Sequence, residues 1–95
     1  MARRFSGPEL EAHLRLARKI AYLREKTNTS PVFDLLDPLV QELEGGCEIV
    51  TGEKSLSTES RVRQYGQLEA QVNTMLKVLA AFAHTPAENE TEAHR

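Results

Sequence analysis

The side chains of this 95-residue chain that could do covalent or metal chemistry are one cysteine, Cys47, and three histidines, His13, His84 and His94. A nucleophilic thiol needs a base within hydrogen-bond reach, and no spacing in the sequence brings a histidine to the cysteine. A zinc site needs closely spaced ligand pairs such as C-x2-C or H-x3-H, which the sequence lacks. We therefore predict no catalytic residues, no metal and no cofactor, and a protein that is not an enzyme.

Cationic side chains on the first predicted helix could instead bind an anion. With an aromatic residue among them, they are Arg15, Arg18, Lys19, Tyr22 and Lys26. Cations contact phosphate groups, and a tyrosine can stack on a nucleobase. However, Glu11 and Glu25 lie near the same face, and the pI of about 5.9 is far from that of a typical nucleic-acid binder. Three interpretations stay open: a solvated face, a contact for an acidic partner or second subunit, and a nucleotide or nucleic-acid site.

Charge is divided unevenly along the chain. Residues 1–27 hold seven basic and three acidic side chains, a net charge of +4, whereas the remainder holds five basic and 11 acidic ones, a net charge of −6. Segments of opposite charge attract each other within one chain or between two chains. The pattern fits self-association, and it fits equally a solvated helix face followed by an acidic tail.

A first helix is predicted to begin near Ser6, because Ser6 and Glu9 have the spacing of a capping box and Pro8 suits a first turn. From residue 10 to residue 23 the apolar side chains recur every three or four positions, which predicts one wide apolar face. These side chains are Leu10, Leu14, Leu16, Ala17, Ile20, Ala21 and Leu23. Turn-forming residues 27–30 and Pro31 predict the end of the helix.

A second helix is predicted to start at once, with Thr29 or Ser30 as its cap and Pro31 in its first turn. Its apolar side chains again follow the helical period and are Val32, Leu35, Leu36, Leu39, Val40 and Leu43. Pro38 lies inside this pattern and predicts a kink. The glycine pair 45–46 predicts the end of the helix, and residues 47–56 are predicted to form a connecting loop that packs Ile49 or Val50 onto the helices.

The third helix is the clearest element, with Ser57 as its predicted cap and a predicted range of 58–84. Side chains spaced by three and four predict a coiled-coil-like seam formed by Tyr65, Leu68, Val72, Met75, Leu79 and Phe82. Gly66 weakens the helix and is predicted to permit close helix approach. The polar residues 85–95 have no period, so we predict a disordered acidic tail.

These elements predict an all-α fold, either a three-helix bundle or a helical hairpin, with a kinked middle helix. Residues 1–84 would form a single helical domain with an aliphatic core, since the chain has no tryptophan and few aromatic residues. A chain of this size has a narrow margin of stability, and small helical chains often widen it by oligomerising.

Residues 75–83 contain only one polar side chain, Lys77. A helix that is apolar all round must be covered all round, and two short helices of the same chain cannot do this alone. The flank beside the seam carries glutamines and no charge, as interface cores do. The predicted oligomer interface is Gln64, Tyr65, Leu68, Gln71, Val72, Met75, Val78, Leu79, Ala81 and Phe82. The alternative is that the alanines here are good helix formers with small exposed side chains.

The predicted function is a non-enzymatic protein-interaction module of the adaptor, co-chaperone or inhibitor type that self-associates through its C-terminal helix. Short helical hairpins of this size are similar in general form to secretion co-chaperones and small phage-encoded inhibitors, although this analogy transfers no residue roles. The alternative is an anion-binding module that binds or sequesters nucleotides or nucleic acid through the first helix. The expected partners are a second copy and another protein, with no membrane. Because no signal peptide is evident, a cytoplasmic location is expected.

Overall fold

Three α-helices and no strand form the part of the chain that the structure describes. In this computed structural model the backbone is described for residues 7–93 and the side chains for residues 7–81. The helices are α1 (Gly7–Asn28), α2 (Phe33–Gly52) and α3 (Thr58–Ala93), and each one contacts the other two. The predicted all-α class is confirmed, and the arrangement is compatible with a helical bundle.

The three helices alternate in direction. Contacts of Arg15 and Lys19 with the side chains at 69 and 73 place α1 parallel to α3. Thr51 meets Tyr65, and Gly46 lies beside Leu68, so α2 runs antiparallel to α3. The buried apolar core between the helices is Ala12, Leu16, Ile20, Leu23, Val40, Leu43, Val50, Tyr65 and Val72. Except for the tyrosine the core is aliphatic, as the composition predicts.

α1 buries a narrower face than the sequence predicted. Leu16, Ile20 and Leu23 lie in the core, whereas Leu10 and Leu14 remain 46% and 45% exposed. The prediction of one wide apolar face was therefore wrong for these two leucines, because they lie on the flank of the helix, away from the other two helices. The predicted capping box involves Ser6, which lies outside the described residues.

α2 begins two residues later and ends several residues later than predicted. Pro31 lies in the preceding turn, where the Ser30 hydroxyl oxygen accepts a hydrogen bond from the Val32 backbone N–H at 3.1 Å. The glycine pair does not end the helix, which continues to Gly52. Packing of Val50 in the core and of Leu68 beside Gly46 outweighs the low helix propensity of glycine. Pro38 lies inside the helix, and the predicted kink there stays a prediction.

The connector between α2 and α3 is residues 53–57, so the prediction of a loop over 47–56 was wrong for residues 47–52, which continue α2. The helix ends with the Glu53 N–H bonded to the Ile49 carbonyl at 3.0 Å. The Glu53 carboxylate then accepts hydrogen bonds from Ser55, which lower the pKa of Glu53. Ser57 caps α3 as predicted, since its hydroxyl accepts a hydrogen bond from the Ser60 N–H at 3.1 Å.

The glycines inside the helices differ in the space around them. A Cβ added at Gly45 or at Gly66 would meet no atom within 4 Å, whereas one at Gly46 would lie 3.2 Å from a Leu68 methyl group. The prediction that Gly66 permits close helix approach was therefore wrong. Among these three positions, only Gly46 makes room for a neighbouring helix.

Replacing Gly45 with alanine should therefore stabilise the protein by ~0.5–1 kcal/mol, because alanine favours the helix and fills open space. Gly46→Ala is the matched control at the next position, and it should gain less because Leu68 must shift. Chemical denaturation followed by circular dichroism measures both. A Gly46→Ala variant at least as stable as Gly45→Ala would contradict the packing described here.

A buried charged network joins all three helices at one end of the bundle. The Arg61 Nε donates to a carboxylate oxygen of Glu9 at 2.9 Å, and both side chains are buried. The other guanidinium nitrogens donate to the backbone carbonyls of Val50, Glu53 and Leu56. Arg61 therefore pairs with a carboxylate in the first turn of α1 and satisfies carbonyl groups at the end of α2 and in the connector.

We predicted that the folded domain ends at residue 84 and that residues 85–95 are disordered. The structure does not describe the side chains of these residues. α3 is helical as far as Ala93. Both statements about this segment stay predictions.

Candidate interaction surface

The bundle has three lateral faces with different chemistry, and the α1–α3 face is basic. Arg15 and Lys19 both donate to the Glu69 carboxylate, at 3.1 and 2.8 Å. The hydrogen bond from Lys19 is the main reason that the pKa of Glu69 is lowered. Two of the predicted anion contacts are therefore already paired with a carboxylate of the same chain.

The remaining members of the predicted basic face are exposed. Arg18 and Lys26 lie on the surface of α1, with the Lys26 ammonium 5.3 Å from the centre of the half-exposed Tyr22 ring. Arg18 and Lys26 are eight residues apart, so their Cα atoms are separated by about 12 Å along the helix. The anion-binding alternative stays a prediction.

The α1–α2 face carries an ion-pair cluster centred on Arg24. Its guanidinium donates to Asp37 at 2.7 Å and to both oxygens of Glu44 at 3.0 Å. These hydrogen bonds raise the pKa of Arg24. The cluster holds α1 against α2 and leaves this face with paired charges at its centre.

The α2–α3 face has an exposed apolar row on α2. Leu35 is 72% exposed, Leu39 is 49% exposed and Ile49 is 69% exposed. With Glu42 and Gly46 between them, these residues are spaced by four, three, four and three, so they lie along one side of α2. Gly46 faces α3, which places the row beside that helix. Apolar side chains in such a row are typical of a contact with another protein surface.

Within the described residues, five uncharged side chains line the α3 side of the same face. Gln64, Gln67 and Gln71 line it, and Thr74 and the 43% exposed Val78 continue it at helical spacing. These residues and the α2 row Leu35, Leu39, Glu42, Gly46 and Ile49 are hereafter the α2–α3 face. Glu42 is the one charged side chain among them.

A groove lies in the half of this face near Ile49. It has a volume of about 220 Å³ and lies between the two helices, lined by Gly46, Ile49, Val50, Gln64, Gln67, Leu68 and Gln71. Its depth follows from Gly46, which presents no side chain, while Leu68 forms the floor. The groove is therefore apolar at its base and has amide groups along its α3 edge.

The structure divides the predicted oligomer interface into an inner and an outer group. Tyr65 and Val72 are fully buried, and Leu68, Met75 and Leu79 are partly buried against the same core. The seam thus faces α1 and α2, and its predicted coiled-coil character stays a prediction. The outer group on the surface is Gln71, Val78 and Ala81, with Gln64 half-buried. The side chain of Phe82 lies outside the described residues.

The structure brings the side chains of Tyr65, Thr51 and His13 close together. The Tyr65 hydroxyl and the Thr51 hydroxyl are 2.8 Å apart, and the rings of Tyr65 and His13 lie 5.6 Å apart. Burial raises the pKa of the Cys47 thiol, against an opposing hydrogen bond with Thr51. A raised pKa reduces the thiolate fraction and so makes Cys47 a poorer nucleophile. His84 and His94 lie outside the described side chains.

Sequence reasoning missed the α2 part of this surface. Leu35 and Leu39 were predicted to lie on the core face of the second helix, and Ile49 was placed in a loop. Of the pair Ile49 and Val50, only Val50 is buried. A usable signal was present: the apolar residues of α2 form two adjacent rows, which is wider than one core contact requires.

No protein-family model, no curated protein and no solved structure matches this chain. No group of three or more metal-ligating side chains lies together within the described residues. Among the same residues, no helix combines the length and the hydropathy needed to cross a bilayer.

Proposed function

We propose that this protein is a non-enzymatic interaction module that self-associates through the α2–α3 face. The observation that carries the proposal is the apolar row on α2, with Leu35 and Ile49 about 70% exposed beside an uncharged flank of α3. Isolated exposed leucines are ordinary on protein surfaces. Three exposed apolar side chains along one side of α2, beside an uncharged flank of α3, form a larger surface of the kind that binds other proteins.

The free energy gained by burying apolar side chains favours an association that covers the exposed row on α2. Fully burying a leucine or isoleucine side chain contributes about 1.5–3 kcal/mol relative to leaving it in water. Leu35 and Ile49 contribute little to the fold of one copy because about 70% of each is exposed, and Leu39 contributes in part because it is 49% exposed. Most of their hydrophobic contribution is therefore available for binding.

Replacing Leu35 and Leu39 together by glutamine should weaken self-association by more than about 100-fold, corresponding to about 2.7 kcal/mol. Glutamine has a similar helix propensity and is soluble, so the helices are kept. Sedimentation equilibrium over a range of micromolar concentrations measures the effect, and circular dichroism checks that the fold is retained.

The matched control is the double substitution Leu10→Gln and Leu14→Gln, which changes two half-exposed leucines on the other side of the bundle. It should leave self-association unchanged. A wild-type protein that is monomeric throughout the micromolar range, or an equal loss in both double variants, would remove the proposal.

A further inference from the structure

We infer that the occupant of the α2–α3 face is the same face of a second copy, related by a two-fold axis that passes beside Glu42 with the two α2 helices antiparallel. This inference rests on the proposed self-association and adds which residues meet. It commits to one arrangement: Leu39 of each copy enters the groove beside Gly46 of the other. Leu35 of each copy then lies against Ile49 of the other.

The first argument is that the face carries both halves of a contact. At one end are the exposed side chains of Leu35 and Leu39, and at the other is the groove beside Gly46, which the exposed Ile49 also lines. A symmetric dimer contact requires that residue i meets residue j and residue j meets residue i. When a second copy is rotated by 180° so that its α2 runs in the opposite direction, the exposed leucines of each copy face the groove of the other.

The second argument is the spacing along α2. Leu35 and Ile49 are both seven residues from Glu42, and Leu39 and Gly46 are three and four residues from it on opposite sides. In an antiparallel pair centred on Glu42, Leu35 meets Ile49 of the other copy and Leu39 meets Gly46. In a parallel pair the glycines would face each other and leave both grooves empty, which loses packing contacts.

The third argument is charge. Glu42 is the one formal charge on the α2–α3 face, and the glutamine side chains along α3 both donate and accept hydrogen bonds. A strongly acidic partner finds no complementary charge here and a strongly basic partner finds only Glu42, whereas a second copy finds amide groups opposite amide groups. The Glu42 carboxylates would approach each other near the axis, which limits affinity.

The area of the face indicates how strong the dimer is. The helix between Leu35 and Ile49 is about 21 Å long, and two helices side by side are about 20 Å wide, so each copy buries on the order of 400 Å² of flat area. A standard interface buries about 800 Å² per partner. We therefore expect a dimer that dissociates in the micromolar range and responds to small changes at its centre.

The test exchanges charges between the exposed leucines and the groove. Leu39→Glu places a carboxylate at one of the exposed leucines, and Gln71→Lys places an ammonium group at the edge of the groove; both positions are exposed. In the full-length chain each single variant should be monomeric at concentrations where the wild type is a dimer. An equimolar mixture should form a dimer again, because the carboxylate introduced into one chain meets the ammonium group introduced into the other. Sedimentation velocity with one variant fluorescently labelled reports the mixed species.

The matched control is Ala21→Lys, which introduces the same ammonium group at an exposed position on α1, outside the α2–α3 face, and should remain dimeric. The outcomes separate the two proposals. Single variants that are monomeric but do not recombine would overturn the antiparallel arrangement and leave the proposed function standing. A monomeric wild type would overturn both, including the case in which residues 82–95 of the same chain cover the face. Recombination of the two variants supports both.

Discussion

Replacing Arg61 by methionine should lower the free energy of unfolding by ~3–5 kcal/mol, because it takes the guanidinium away from the buried carboxylate of Glu9. Methionine keeps most of the side-chain volume, so the loss reports on charge and hydrogen bonds and not on a cavity. The backbone carbonyls of Val50, Glu53 and Leu56 also lose this donor. Urea denaturation followed by circular dichroism measures the change.

The double variant Arg61→Met with Glu9→Leu separates the two contributions to this loss. The double variant contains neither charge of the pair, so it avoids the cost of burying the Glu9 carboxylate without Arg61. It should therefore be more stable than Arg61→Met alone. It should still be less stable than the wild type, because the three carbonyls have lost the guanidinium donor. A single variant within about 1 kcal/mol of the wild type would show that the network contributes little to stability.

Truncating Leu16 to alanine should lower the free energy of unfolding by ~2–5 kcal/mol, because this side chain is fully buried and its removal leaves a cavity. The same change at Leu10, also on α1 but 46% exposed, should have an effect of at most about 0.5–1 kcal/mol. Denaturant titration of both variants measures the difference. Similar losses at the two positions would contradict the orientation of α1.

This pair of leucines also shows what apolar periodicity can and cannot establish. The spacing of Leu16, Ile20 and Leu23 predicted the helix and part of its buried face correctly. It could not exclude Leu10 and Leu14 from that face, because they share the same period. Which leucines are buried depends on where the other two helices pack, and that is decided by tertiary contacts.

The ends of the helices were predictable where a side chain acts locally. Ser57 caps α3 through a bond to a backbone group three residues away, so the sequence alone was sufficient. The glycine pair in α2 was misleading, because glycine disfavours a helix only by about 1 kcal/mol and packing of the flanking residues outweighs this. The absence of a side chain at Gly46 leaves room for Leu68 to pack against α2. Leu68 lies 22 residues later in the chain, so local sequence does not indicate this contact.

The buried pair of Arg61 and Glu9 could not be anticipated, since the two residues are 52 positions apart. Glu9 was assigned to a capping box with Ser6, and nothing in the sequence distinguished Arg61 from a surface charge of the third helix. The candidate interaction surface was anticipated only on α3, through its uncharged flank. Its α2 part emerged once Leu35 and Leu39 were found exposed, because helix spacing alone does not tell a core row from a binding row.

The network around Arg61 also bears on how two copies can associate. Small helical proteins sometimes dimerise by exchanging a helix, which requires the exchanged helix to separate first from the other helices of its own chain. Withdrawing α1 here would strand the Glu9 carboxylate and the Arg61 guanidinium from each other in a buried setting. We therefore expect the proposed self-association to join folded units, with only slow exchange of segments between copies.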